Sequence, residues 1–340
     1  LQVTAMSLLL PMLALVVFIQ YTPLSTSSPM PVEQGESESP HFSGYKYEDH
    51  PRHRVKRITG GYVAPEGFYT SIVGIRWRDS ETKRMRHHCG GSLISAKFVL
   101  TAASCFDADF DKTEFDVMAG DWDNTKTEGT EQQMKIAKIH NHPKFTADLI
   151  FNIAILELET AVSITDFVSI ASMPSRSFNH FNGRLCTSLG WGRTDTEEKE
   201  DMSALLQAAP VALYNHTACA AISGDKKYYK TISNSSLCVG YSQGGIGMCD
   251  GDIGGPLLCQ ENDGVSYLVG ISSWKLCGHK QYLDVYTKVH AHLHWIDGVI
   301  NEKDESEKRD DEDETEERNV FNHKQNATES EEDIVVALLG

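Results

Sequence analysis

Residues 248–259 read MCDGDIGGPLLC. A Gly-Asp-x-Gly-Gly-Pro turn behind a cysteine usually carries a serine at x. Here x is Ile253, a β-branched hydrocarbon with no lone pair to attack with and no proton to transfer. Nucleophilic catalysis needs three things together: a nucleophile, a base to take its proton, and an anion to orient the base. His140 and His142, in HNHPKF, are the obvious imidazoles for the second role. Their segment reads instead as a surface strand. A nucleophile frame is therefore present around a residue that cannot do the chemistry.

The elements that must hold this frame follow from the whole chain. It has 340 residues, of which 40% are hydrophobic, enough for a sizeable core. Its net charge of −17 argues against nucleic acid and anionic membrane as partners, because both require a basic face. The apolar run from Leu8 to Ile19 is too short to span a bilayer and suits the core of a signal peptide starting at Met6. A membrane anchor is the alternative for this run. The small residues at Ser25–Ser28 suit cleavage, so 1–28 is read as a signal-peptide region. All eight cysteines fall between Cys89 and Cys277, and no Cys-x-x-Cys pair occurs. In a secreted chain this pattern predicts disulfides rather than zinc.

Residues 29–57 are rich in Pro, Ser, Gly and charge and read as a disordered pro-segment. It ends in RVKR, Arg54–Arg57, a pattern suited to furin-like convertases, and the next residues are ITGGY. From 58 to 302, short runs rich in Val, Ile, Leu and Tyr alternate with Gly, Asp and Asn turns. SIVGIR, GSLISAKFVLTAA, NIAILEL, VSYLVGISSW and DVYTKV predict strands of an all-β domain. Val289, Leu293, Ile296 and Ile300 recur at helical spacing and predict one terminal helix. Residues 303–340 are a solvated acidic tail; counted from 301, this end has 15 Asp and Glu against 5 Lys and Arg.

ITGG after a basic site, CGGSLISAKFVLTAASC, NIAILEL, CTSLGWG, MCDGDIGGPLLC, ISSW and DVYTKV…WI occur in one order. In that order they resemble the chymotrypsin/trypsin-like serine proteases over 58–300. The resemblance implies two six-stranded antiparallel β-barrels with a cleft between them and a C-terminal α-helix. It also implies the pairings Cys89–Cys105, Cys186–Cys259, Cys219–Cys238 and Cys249–Cys277. Carried over residue by residue, the catalytic histidine position is Ser104 in TAASC, the aspartate position is Asn152 in NIAIL, and the serine position is Ile253. None of the three matches. The activation switch does match: cleavage after Arg57 would free the α-amino group of Ile58 to pair with Asp252.

The same resemblance places Gly247 and Met248 at the base of the specificity pocket and Lys275 and Asp284 on its walls. Lys275 and Asp284 would pair across the slot and fill it; the alternative is a solvent-facing Lys275. GDWDNTKTEGTEQ, 120–132, resembles the calcium loop of digestive trypsins. Asp121, Glu128 and Glu131 would give side-chain oxygens to calcium, and Asp123 and Lys126 their carbonyls. A solvated acidic hairpin is the equal alternative. AGDWD is similar to arthropod non-catalytic serine protease homologues. RWRDSETKRMRHH, 76–88, is a basic loop that serves relatives as a protein-binding surface, or else is a solvated turn. Asn215, Asn234 and Asn326 open glycosylation sequons. The expectation is thus a secreted, cleavable, non-catalytic homologue that binds a protein, a protease or its substrate, in a proteolytic or immune cascade. Calcium is the one cofactor expected. Microbial-surface recognition and weak residual endopeptidase activity are the alternatives.

Overall fold

The computed structural model describes residues 60–79, 81–106, 111–175, 184–194, 202–222, 232–274, 277–280 and 282–301. Strand β1 (Tyr62–Val63) leads into β2 (Ile72–Arg78), β3 (Met85–Leu93), β4 (Phe98–Thr101), β5 (Phe115–Ala119), β6 (Gln132–Asn141) and β7 (Ala154–Leu158). The latter six close into an antiparallel barrel in the order β2-β3-β4-β7-β6-β5. A second set comprises β8 (Arg184–Gly190), β9 (Gln207–Tyr214), β10 (Ser236–Gly240), β11 (Pro256–Gln260), β12 (Ser266–Trp274) and β13 (Asp284–Lys288). These also close, in the order β9-β10-β13-β12-β11-β8 with β8 returning to β9, and β1 adds to the outside of β9. Both predicted barrels are therefore present.

The strands form where the sequence predicts them because Val, Ile and Leu fill the barrel interiors. β4 and β7 are buried along their whole length, as FVLT and AILEL suggest. One core cluster runs from Ile72, Val73 and Ile75 in the first barrel through Trp191 and Leu268 to Leu293 and Ile296. The last two lie on helix α2, residues 293–301, which a short 3-10 turn, Val289–His292, precedes. Helix α1 (His216–Ile222) has no counterpart among the expected elements. Its start is fixed by Asn215, whose Oδ1 accepts the N–H of Ala218 at 2.9 Å.

All four disulfides pair as expected: Cys89–Cys105, Cys186–Cys259, Cys219–Cys238 and Cys249–Cys277. Each contributes on the order of 2–4 kcal/mol, mainly by constraining the unfolded chain. The seam between the barrels is close at Gly90. A Cβ there would stand 2.7 Å from Gly255 Cα and 2.9 Å from Gly255 N, both backbone atoms. Gly90 also donates its N–H to the Ile253 carbonyl at 2.8 Å and accepts from Thr101 Oγ1 at 2.8 Å.

Gly90→Ala should therefore push the barrels apart and cost about 1–3 kcal/mol as overpacking. Gly298 in α2 has open space around its Cα. Gly298→Ala should stabilise by about 0.5–1 kcal/mol through helix propensity. Thermal denaturation of the two variants against the parent checks both signs.

Candidate functional site

Asn152 stands at the entrance to β7 and is completely buried. Its Nδ2 donates to Ser104 Oγ at 2.9 Å and to Ser273 Oγ at 2.9 Å, and its Oδ1 accepts the N–H of Ser104 at 2.8 Å. Thr287 Oγ1 donates to its carbonyl at 2.8 Å. One amide thus ties together both barrels. Ser104 sits on the 3-10 turn Ala103–Cys105, which the Cys89–Cys105 bridge and a 2.8 Å bond from His88 Nε2 to the Cys105 carbonyl hold in place. Its hydroxyl oxygen accepts the Asn152 amide N–H. An amide nitrogen has no lone pair available for a proton.

The approach to Asn152 is strained. Leu149 and Phe151 both have left-handed φ, 59° and 53°. Phe151 is held there by stacking on His142, with ring centroids 5.0 Å apart and planes 5° from parallel. His142 also packs on His292 and Trp295 at 5.0 and 4.9 Å. Burial pushes His292 down to about 4, so it is neutral at pH 7. His140 lies on β6 with Nε2 3.6 Å from the buried Glu157 carboxylate. His142 is thus engaged by aromatic packing and His140 by Glu157.

Ile253 is half-buried and packs against the large core cluster. Its backbone position is set from both sides, by Gly90 and by Gly254, whose N–H reaches the Ser272 carbonyl at 2.9 Å. Asp252 turns the other way, into the protein, and is fully buried. Its carboxylate accepts the N–H of Gly192 at 2.7 Å and of Cys249 at 3.0 Å. Among the described residues no cation is paired with it. Burial, only partly offset by these two bonds, pushes its carboxyl up to about 7. Arg57 and Ile58 lie outside the described residues. Gly60 shows where the chain enters: with φ 76° it packs so closely on the Gly245 carbonyl that a Cβ would be 2.3 Å away.

Sequence reasoning missed His87. Its Nε2 donates to the Gly251 carbonyl at 2.8 Å, and its ring leans on Trp191 at 5.5 Å. Burial pushes it down to about 4, so a neutral imidazole holds the turn that contains Ile253. A His two residues before the first cysteine was its one signal. Ser273 and Thr287 were missed as well, because neither lies in a motif that names a partner.

Asp284 is buried against Gly247 and Met248, the two residues expected at the pocket base. Its Oδ2 accepts the Met248 N–H at 2.6 Å and lies 2.6 Å from where a Cβ on Gly247 would be. Any larger residue at 247 would collide with this buried carboxylate. Lys275 lies outside the described residues.

Asp121, Glu128 and Glu131 come together, with carboxylate oxygens within 4.8 Å of one another. Asp121 Oδ1 is buried and has no hydrogen-bond partner, which is the feature a hard cation would satisfy. Its other oxygen accepts from Arg76. Burial raises the Asp121 carboxyl despite Arg76. Glu131 receives the N–H groups of Glu128 and Gly129 at 2.6 and 2.7 Å, and Glu128 those of Trp122 and Asp123 at 3.2 Å each. Lys126 Nζ folds back on the Asp123 carboxylate at 2.5 Å, and the Asp123 carbonyl already accepts the Lys126 N–H. The three side chains fit a calcium site. Asp123 and Lys126 are arranged first around each other. Asn215 and Asn234 are exposed, the latter on the turn from Ser233 to Ser236; Asn326 lies outside the described residues.

Paired closed barrels, four disulfides and a glycine-rich turn at their seam define a two-barrel domain of the serine-protease type. Residues 58–296 match the Trypsin family model. The chain belongs to the trypsin family. It is similar to Chymotrypsin-like elastase family member 1 of Homo sapiens, 31% identical over 76% of this chain and 97% of that protein. It is 32% identical to Serine protease 41 of Homo sapiens, over 72% of this chain and 76% of that one. It is 33% identical to Transmembrane protease serine 9 of Rattus norvegicus over 74% of this chain, which spans 22% of that relative's length. Among the described residues no helix is long and apolar enough to cross a membrane.

If the acidic loop takes calcium, the melting temperature rises in millimolar calcium against chelator. A hundredfold excess over Kd stabilises by about 2.7 kcal/mol. Glu131→Ala should abolish the rise. Arg76→Gln should enlarge it by removing the competing cation from Asp121.

Proposed function

We propose that this trypsin-family chain is a secreted, non-catalytic homologue that works by binding a protein partner in a proteolytic or immune cascade. The observation that carries the reading is the Ser104–Asn152–Ser273 network, taken with Ile253 at the glycine-rich turn. Where proton transfer would occur, an amide donates to two hydroxyls. Where a nucleophile would stand, there is an sp³ carbon side chain. Loss of a complete triad costs about 10⁶ in turnover in such enzymes. The disulfide framework fits an oxidising, extracellular setting.

A serine-reactive phosphonate and a fluorogenic peptide panel test the reading on the protein before and after cleavage at Arg57. No labelling and no turnover are expected. Stoichiometric labelling at Ser104 would overturn it.

The retained Asp252 then serves a conformational switch. In the uncut chain its carboxyl is raised from an ordinary 3.8 to about 7. A raised acid contributes stability that is fully present below the unfolded value and is lost as pH climbs through the folded one. The melting temperature of uncut protein should therefore fall between about pH 4 and pH 8, by up to about 4 kcal/mol in stability for a three-unit shift. Asp252→Asn should flatten this dependence. Cleavage that brings the Ile58 α-amino group to Asp252 should do the same, and hydrogen exchange at 247–256 should slow. Identical pH profiles for cut and uncut protein would leave the switch without support.

A further inference from the structure

The hairpin between β2 and β3 concentrates positive charge on an acidic protein. Arg78, Lys83, Arg84 and Arg86 are all exposed, and they lie within nine residues. Outside this hairpin, no other stretch of nine among the described residues carries four cations. Arg76 is not part of this surface, because it turns inward onto Asp121. Asp79 adds little opposing charge outward. Its Oδ1 receives the N–H groups of Glu81 and Thr82 at 3.1 and 2.6 Å and the Thr82 hydroxyl at 2.8 Å. Its other oxygen lies 3.6 Å from Arg86 Nε. The turn is also pinned by the Lys83 N–H on the Asp79 carbonyl and the Asp79 N–H on the Arg84 carbonyl, both 2.9 Å. These four side chains therefore project from a fixed β-ribbon, not from a wandering loop.

The same chain carries the complementary charge. Residues 310–317 read DDEDETEE: seven carboxylates with no intervening cation. They follow α2, whose Leu293 and Ile296 belong to the same core cluster as Ile72, Val73 and Ile75 of β2. From residue 301 to 317 the chain can span about 53–58 Å when extended. A domain of this size is roughly 45 Å across by radius-of-gyration scaling. Linkage by a segment this short gives an effective concentration on the order of millimolar, so a weak charge contact becomes occupied intramolecularly.

We propose that the acidic segment 310–317 docks in cis on the β2–β3 hairpin, through carboxylate pairs with Arg78, Lys83, Arg84 and Arg86. The surface is then covered until an acidic partner segment or raised salt displaces the tail. This does not depend on whether the cleft is catalytic.

Lys83 is the one lysine of the hairpin, so a zero-length carbodiimide cross-link reports the contact directly. On the full-length protein at low ionic strength, mass spectrometry should find Lys83 joined to carboxylates of 310–317 in the monomer fraction. The yield should fall at least fivefold in about 0.5 M salt, where the Debye length drops to about 4 Å. It should fall by as much in the triple variant Arg78→Glu, Arg84→Glu, Arg86→Glu, which keeps Lys83. Replacing the seven acids of 310–317 with Asn and Gln in the full chain should speed hydrogen exchange at 81–86. Any of four results would overturn the proposal: no Lys83 cross-link, cross-links confined to a dimer, cross-links to the acidic residues of 195–201 instead, or a yield indifferent to the charge reversal.

Discussion

A single buried carboxylate organises the centre of this molecule. Asp252 occupies space that no side chain at 190 or 192 could share: a Cβ on Gly190 would come within 2.1 Å of it and one on Gly192 within 2.3 Å. The sequence LGWG is thus a negative of Asp252, two glycines leaving room while Trp191 between them enters the core and supports His87. The turn from Cys249 to Gly255 wraps this carboxylate, which accepts the N–H groups of Cys249 and Gly192. Backbone bonds of Gly90, Ser272 and Gly255 also hold the turn.

The replacement at Asn152 makes sense against the same cost. A carboxylate in a fully buried position needs either several donors or a cation, and isolated burial is expensive. An amide accepts from the Ser104 N–H and donates to two hydroxyls, so every polar atom of the side chain is used without charge. Ser104, the smaller residue at the facing position, completes that neutral network. The junction is therefore polar but carries no charge on these side chains. The two left-handed residues before Asn152 cost on the order of 1–3 kcal/mol each, and the ring stack on His142 offsets part of this at Phe151.

Much of this was legible in the sequence. The barrels were, because alternating hydrophobic runs and ordered motifs reinforce each other, and so were the disulfides through the resemblance. Short-range pattern fails where the decisive neighbour is remote. Nothing in GDWD says that Asp121 would be met by Arg76, 45 residues earlier. Helix α1 was missed because seven residues hold too few turns for a periodic signal, and its cap lies inside a glycosylation sequon. The reach of Asp284, the first residue of β13, to the Met248 N–H joins residues 36 apart in the chain. Left-handed φ at Phe151 leaves no trace at all in residue type.

The backbone of Ile253 is anchored to the first barrel through its carbonyl, not through its side chain. The two glycines that flank the turn, Gly251 and Gly254, supply its left-handed φ of 91° and 81°. The path of the turn is thus set by backbone bonds and glycines, and the Ile253 side chain adds packing against the core. A turn anchored through main-chain atoms keeps its path whichever side chain stands at 253, so a change of chemistry at that position need not be preceded by a change of fold.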